Sequence, residues 1–223
     1  MDTRPVYRCH ARGLLLEPPE SGGVVSALRK CQADIQDRMD AGDLMTAALF
    51  HYGRQVFLYY EAIGTEMEPE AFMEPLSPLL ADFPQKEETC KWAKMYHVFW
   101  HDEPRSADDW KRNNPESRQR GRIAYLRHET MFEYVYHHFA LTQEGLHRGD
   151  RYMSIALHED VLFSYFEEPR SSVNIRRTDE GESEALKAWM DTDPDSHFIH
   201  LPGSEGQNFL LLPSLLAMKN TRL

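Results

Sequence analysis

Cysteine is scarce in this chain: three residues in 223, Cys9, Cys31 and Cys90, with no C-x-x-C spacing and no way for all three to pair. That excludes a disulfide scaffold and fits a reducing, cytoplasmic compartment. Positive charge is also short. Lys and Arg number 25 against 36 Asp and Glu, a formal net charge of -11. Phosphate binding needs a basic face, so no nucleic-acid partner is expected. The one basic stretch, Lys111 to Arg122, is interrupted by Asn, Pro and Glu and reads as solvated linker. The longest apolar run, Phe209 to Met218, is broken by Pro213 and too short to span a bilayer, which argues against a membrane partner. It reads as a buried strand. The start, Met1-Asp2-Thr3-Arg4-Pro5, lacks the apolar core of a signal peptide. No glycine-rich phosphate loop, G-x-S-x-G elbow or Rossmann fingerprint occurs.

What the chain does have is repetition. An amphipathic run ending in Ala41-Gly42-Asp43 leads to Phe57-Leu58-Tyr59-Tyr60-Glu61; another ending in Arg148-Gly149-Asp150 leads to Phe163-Ser164-Tyr165-Phe166-Glu167. A period on the order of a hundred residues points to duplicated domains rather than stacked small units. Each half reads as strand, helix, strand, strand, helix, strand. In the first, Tyr7 to Leu16 is a strand and Val24 to Asp40 a helix with Val25, Leu28, Ile35 and Met39 on its apolar face. Gly42 supplies its stop, because a left-handed cap costs little without a side chain. Leu44 to Phe50 and Val56 to Ile63 form a hairpin, followed by a weakly helical piece around Phe72 to Leu80 and a strand Lys91 to Trp100. In the second, Arg122 to Leu126 is a strand and Thr130 to His147 a helix capped at Gly149. A hairpin about Glu159-Asp160, a helix Glu182 to Met190 and a last strand Asn208 to Leu216 complete it.

This predicts an α+β fold of two tandem ferredoxin-like β-α-β-β-α-β units, 1–103 and 122–223, joined by a linker at 104–121 and forming an α+β barrel within one chain. Bulky residues on both faces of the hairpin strands fit sheets with no solvent face.

The helix from Thr130 carries the chemistry. With Phe132, Val135, Phe139, Thr142 and Leu146 as its buried stripe, Tyr134 and His138 lie one turn apart on the stripe's edge, and His137 points to solvent. A phenol and an imidazole at the margin of an apolar cavity can pass a proton to or from an uncharged substrate. They could equally hydrogen-bond backbone at the sheet edge. Tyr96, His97 and Trp100 on one strand could line a cavity or fill the core. His97 and His101 are four apart on a strand, ~13 Å, too far for one metal ion. The pair His197 and His200 carries no further metal signal, and no metal is expected.

The second half resembles the L-rhamnose mutarotase family, ferredoxin-like dimeric α+β barrels that interconvert sugar anomers. The likeness is carried by Tyr134 and His138, by Ser154-Ile155-Ala156-Leu157, by Leu162 to Glu167, and by Trp189-Met190; in the first half Lys94 to Phe99 looks like the family's last strand. Ala156 and Trp189 depart from the family pattern. The resemblance implies an isomerase of carbohydrate metabolism acting on a free sugar such as rhamnose, without cofactor, with His138 as acid. Tyr134, Tyr165 and Trp189 would hold the sugar, and Tyr96, His97 and Trp100 would complete the wall. Homodimers occur in this architecture. Aligning Gly42 with Gly149 sets Cys31 opposite His138 and Ala27 opposite Tyr134, so a site of this kind belongs to the second half. Two other readings share the architecture: a barrel-type monooxygenase or haem-handling protein with His138 or His97 as iron ligand, and a non-catalytic ligand-binding protein.

Overall fold

The computed structural model describes residues 1–85, 88–112, 114, 116–144, 150–170 and 183–221. In chain order the strands and helices are β1 (Val6–Leu14), α1 (Gly22–Ala41), β2 (Leu44–Tyr52), β3 (Gln55–Ile63), α2 (Glu70–Met73), β4 (Phe83–Gln85), β5 (Glu88–Cys90) and β6 (Ala93–Trp100). There follow β7 (Arg118–Leu126), α3 (Met131–Gln143), β8 (Ser154–His158), β9 (Val161–Glu168), α4 (Glu184–Asp191), β10 (Phe198–Ile199), β11 (Leu210–Leu211) and β12 (Ser214–Lys219). This is an α+β fold in two compact units. Unit 1 comprises 1–95, 104–116 and 213–223; unit 2 comprises 96–103 and 117–212.

In unit 1 the antiparallel order is β6-β1-β3-β2-β12. Helix α1 starts where the Ser21 hydroxyl accepts from the Val24 amide and ends at Gly42, whose φ of 77° lets its amide reach Arg38 and Met39 carbonyls. Its buried face, Val24, Ala27, Leu28, Cys31, Ile35 and Met39, packs with Leu49, Val56, Leu58 and Tyr60 of the strands. Burying each such aliphatic side chain contributes about 1.5–3 kcal/mol. Val25, expected on that face, is exposed. The strand β3 is buried on both faces, since Phe57, Tyr59 and Glu61 alternate with these core residues and are no more exposed.

In unit 2 the order is β10-β7-β9-β8-β6, with β11 also pairing β7. Leu162 and Phe166 of β9 join Ala124, Leu126, Tyr134, Leu141 and Trp189 in one core. Phe163, Tyr165 and Glu167 occupy the other face of β9 and are buried too. Glu144, at the end of α3, receives the Ser183 hydroxyl and the Ala185 amide, each at 2.7 Å, and so ties the start of α4 to α3.

Three expectations need correction. The residues read as a solvated linker contain the fully buried Trp110 and the buried Arg112, because both serve Glu61 of β3. The apolar run at 209–218 is two strands rather than one buried strand. Pro213 cannot donate to a ladder, and on either side of it Leu210–Leu211 pairs with β7 while Ser214–Lys219 pairs with β2. The face of α3 is also turned. Phe132 and Phe139 are 80% and 55% exposed, while Tyr134, His137, His138, Leu141 and Thr142 are buried. The expected contribution of Leu146 and the Gly149 cap lie outside the described residues.

The last strand of each sequence half therefore pairs with a hairpin of the other half. From Tyr96 onward β6 pairs with β8 in unit 2, and β12 pairs with β2 in unit 1.

Candidate functional site

The turned face of α3 puts its polar rings inward. The Tyr134 ring stacks on His138 with centroids 3.8 Å apart and planes at 22°. Trp189 of α4 meets His138 edge-on at 5.0 Å and Tyr134 at 5.7 Å. Phe99 of β6 stands 5.7 Å from His138, and His197 lies 4.8 Å from Trp189. A hydropathy stripe misses this arrangement because it ranks imidazole as polar. Here each ring finds an aromatic edge or face, which compensates for lost water.

His138 Nδ1 lies 2.9 Å from the Tyr134 carbonyl one turn earlier, the geometry of an N–H donating to a backbone oxygen. That fixes the tautomer and leaves the Nε2 lone pair uncommitted. Burial lowers the His138 pKa to about 4, against the raising effect of this hydrogen bond; the neighbouring His137 and His197 push the same way as burial. His138 is thus neutral at physiological pH: its one proton, on Nδ1, is held by the Tyr134 carbonyl, and Nε2 is its open acceptor. Tyr134 is shifted upward by burial, with the charge of Arg122 working against the shift. Its hydroxyl is fully buried and has no hydrogen-bond partner. His197 Nε2 bonds Glu133 at 3.1 Å, and its buried Nδ1 has no partner.

Of the residues singled out from sequence, Tyr134, His138 and Trp189 are brought together. Tyr165 is not, because it lies on the opposite face of β9. Tyr96 is 66% exposed. His97 and Trp100 form a separate half-buried pair, ring centroids 6.1 Å apart. His137 is buried, contrary to its expected outward position. In α1 the buried positions 27, 31 and 35 repeat the spacing of 134, 138 and 142 in α3. Cys31 is buried in the core of unit 1, and burial pushes its thiol up to about 11. Among the described residues no group of three His, Cys, Asp or Glu could hold a metal ion. No described helix is long and apolar enough to cross a membrane.

The sequence reading missed the meaning of the repeated F-x-Y-x-E. On a strand, residues two apart share a face, and in both copies the tyrosine hydroxyl donates to the glutamate: Tyr59 to Glu61 at 2.5 Å, Tyr165 to Glu167 at 2.7 Å. The two copies differ in what else arrives. Glu61 receives Trp110 Nε1 at 2.9 Å and a two-pronged ion pair from Arg112, while Arg8 Nε donates to Tyr59 at 3.1 Å. Glu167 receives the Ser117 hydroxyl.

No family model matches the chain, and no curated protein does. The solved structures it is similar to include a proposed monooxygenase from Lactobacillus acidophilus NCFM, at 8% identity over 96% of each chain with a TM-score of 0.48. A proposed monooxygenase from Fusobacterium nucleatum subsp. nucleatum matches at 9% identity over 98% of this chain and 96% of that one, TM-score 0.45. An anthrone oxidase-like protein matches at 11% identity over 97% of each chain, TM-score 0.39. At these scores the likeness carries no inference about activity.

The mutarotase resemblance does not survive. No model of that family matches the chain, and the solved structures found carry oxygenase-type names. The site geometry disagrees with it as well: the proposed acid, His138, is an uncharged imidazole near neutral pH whose one proton is held by the Tyr134 carbonyl, and Tyr165 is on the wrong face. The rhamnose substrate and the isomerase class go with it.

Proposed function

We propose that the two sequence halves are ferredoxin-like units of an α+β barrel, and that the chain is an oxygenase-type enzyme whose working half is unit 2. The orders β6-β1-β3-β2 and β7-β9-β8 support the first part, as does the equal spacing of buried positions on α1 and α3. One observation carries the second: a neutral imidazole, locked by its Nδ1–H, with an uncommitted Nε2 inside a wall of aromatic rings. Such a group takes a proton from an apolar substrate held beside it.

The chemistry this suits is oxidation of an aromatic substrate bearing an acidic CH2 group. His138 Nε2 accepts one C–H proton, and the electron pair left on carbon reduces dioxygen. One oxygen atom stays as a C=O group, and the other leaves as water with both hydrogens of the CH2. Trp189 and Tyr134 would hold the substrate's ring flat, and the apolar wall would keep bulk water from the carbanion. The three cysteines, all free thiols, agree with a cytoplasmic setting.

The test is oxygen uptake by the purified protein over a panel of anthrone-type and phenolic substrates. One O2 should be consumed per ketone formed, with no peroxide released. No uptake above buffer for any substrate, or a Soret band growing to one equivalent on haem titration, would refute this reading.

A further inference from the structure

On the helix side of the unit 2 sheet, two buried hydroxyls beside a guanidinium lack acceptors. Arg122 of β7 projects between two rings, its guanidinium carbon 4.4 Å from the Phe209 centroid and 5.4 Å from that of Phe166. Its Nε donates to the Ser164 hydroxyl at 3.3 Å. Ser164 is fully buried, and among the described residues its own proton has no acceptor. The Tyr134 hydroxyl, also fully buried, has no partner of either kind, and it feels the charge of Arg122. Among the described residues no carboxylate forms an ion pair with Arg122; the nearby Asp150 is taken by Arg170 at 2.6 Å. A half-buried cation and two buried hydroxyls short of acceptors are costly, and an oxyanion removes part of that cost.

We propose that Arg122, Tyr134 and Ser164 form a binding site for the carboxylate of a small aromatic acid. Arg122 would supply the charge and the two hydroxyls the remaining hydrogen bonds. Among the described residues, the charge count favours a carboxylate over a phosphate dianion: Arg122 and Arg170 with Asp150 leave one net positive charge, which a monoanion neutralises. The rings of Phe166 and Phe209 beside the guanidinium favour an aromatic body. This site does not depend on the oxygenase reading, although Tyr134 belongs to both places.

Calorimetric titration of the whole protein with 2-naphthoate, 2-naphthamide and inorganic phosphate tests the inference. The carboxylate should bind at least about tenfold more tightly than its amide, and Tyr134→Phe should weaken carboxylate binding by about fivefold. Arg122→Lys, which keeps the charge but not the two-pronged geometry, should also weaken it. Equal binding of acid and amide, tighter binding of phosphate, or no binding of the acid at millimolar concentration would overturn the proposal. The comparison of acid with amide needs no variant, so a misfolded mutant cannot obscure it. Oxygen uptake measured in parallel separates the two readings: carboxylate binding without uptake leaves this site standing and removes the oxygenase, and the reverse result does the opposite.

Discussion

Replacing Glu61 with alanine should destabilise unit 1 by about 3–5 kcal/mol, read from urea unfolding followed by Trp92 and Trp110 emission. Glu61 is fully buried, the Arg112 side chain is 7% exposed, and the pair is closed by the Trp110 indole and the Tyr59 hydroxyl. Truncating one partner leaves a guanidinium buried without its countercharge, and that penalty exceeds the value of the contact itself. Removing both charges together, as Glu61→Met with Arg112→Met, should recover most of the loss. Acid should act in the same direction. Burial pushes the Glu61 carboxyl upward, but Arg112, Tyr59 and Trp110 together hold it below its ordinary 4.5. A carboxyl depressed in the folded state contributes stability that is complete above its unfolded value and is lost as pH falls through the folded one. A loss below about 1 kcal/mol in Glu61→Ala would mean that the network is incidental.

His138→Gln should reduce oxygen uptake by roughly 10²–10⁴-fold, the contribution of a positioned proton acceptor. The same variant has a signature that does not depend on turnover. With a folded pKa of about 4 against 6.5 unfolded, His138 binds a proton more readily in the unfolded chain between those values. Stability is therefore undiminished above pH 6.5 and falls as pH drops toward 4, by about 3 kcal/mol in total. Glutamine cannot titrate, so the variant's stability should be flatter over that window. A wild-type curve with no slope between pH 6.5 and 4 would show that the ring enclosure does not exclude the charged imidazole.

The sequence made the local elements legible where a single residue type carries the reason. Gly42 ends α1 because its φ is 77°, and the turns at Gly53-Arg54 and Glu159-Asp160 fall between the strands expected there. The repeated F-x-Y-x-E was visible as text, and strand periodicity alone could have paired Tyr59 with Glu61 and Tyr165 with Glu167. The rest of the Glu61 network was not readable, because Trp110 and Arg112 come from some fifty positions away across an irregular segment. The orientation of α3 was misread for a different reason: hydropathy favours Phe132 and Phe139, whereas the stacking of Tyr134, His138 and Trp189 decides the packing. That misreading made His137 outward-facing and hid the donor-rich neighbourhood of Arg122. The pairing of His138 with Tyr134 was legible from their four-residue spacing; the direction in which the proton moves depended on burial, which spacing does not report.

The exchange of last strands has a consequence for biosynthesis. Seven of the nine residues of β2 are buried, yet its edge partner is β12, made some 170 residues after it. While the ribosome is still making residues 214–219, β2 offers a row of bare amide and carbonyl groups on an apolar strand. A nascent chain stalled before that point should be prone to associate through this edge, and a truncation at Pro213 should yield aggregates rather than a smaller folded protein.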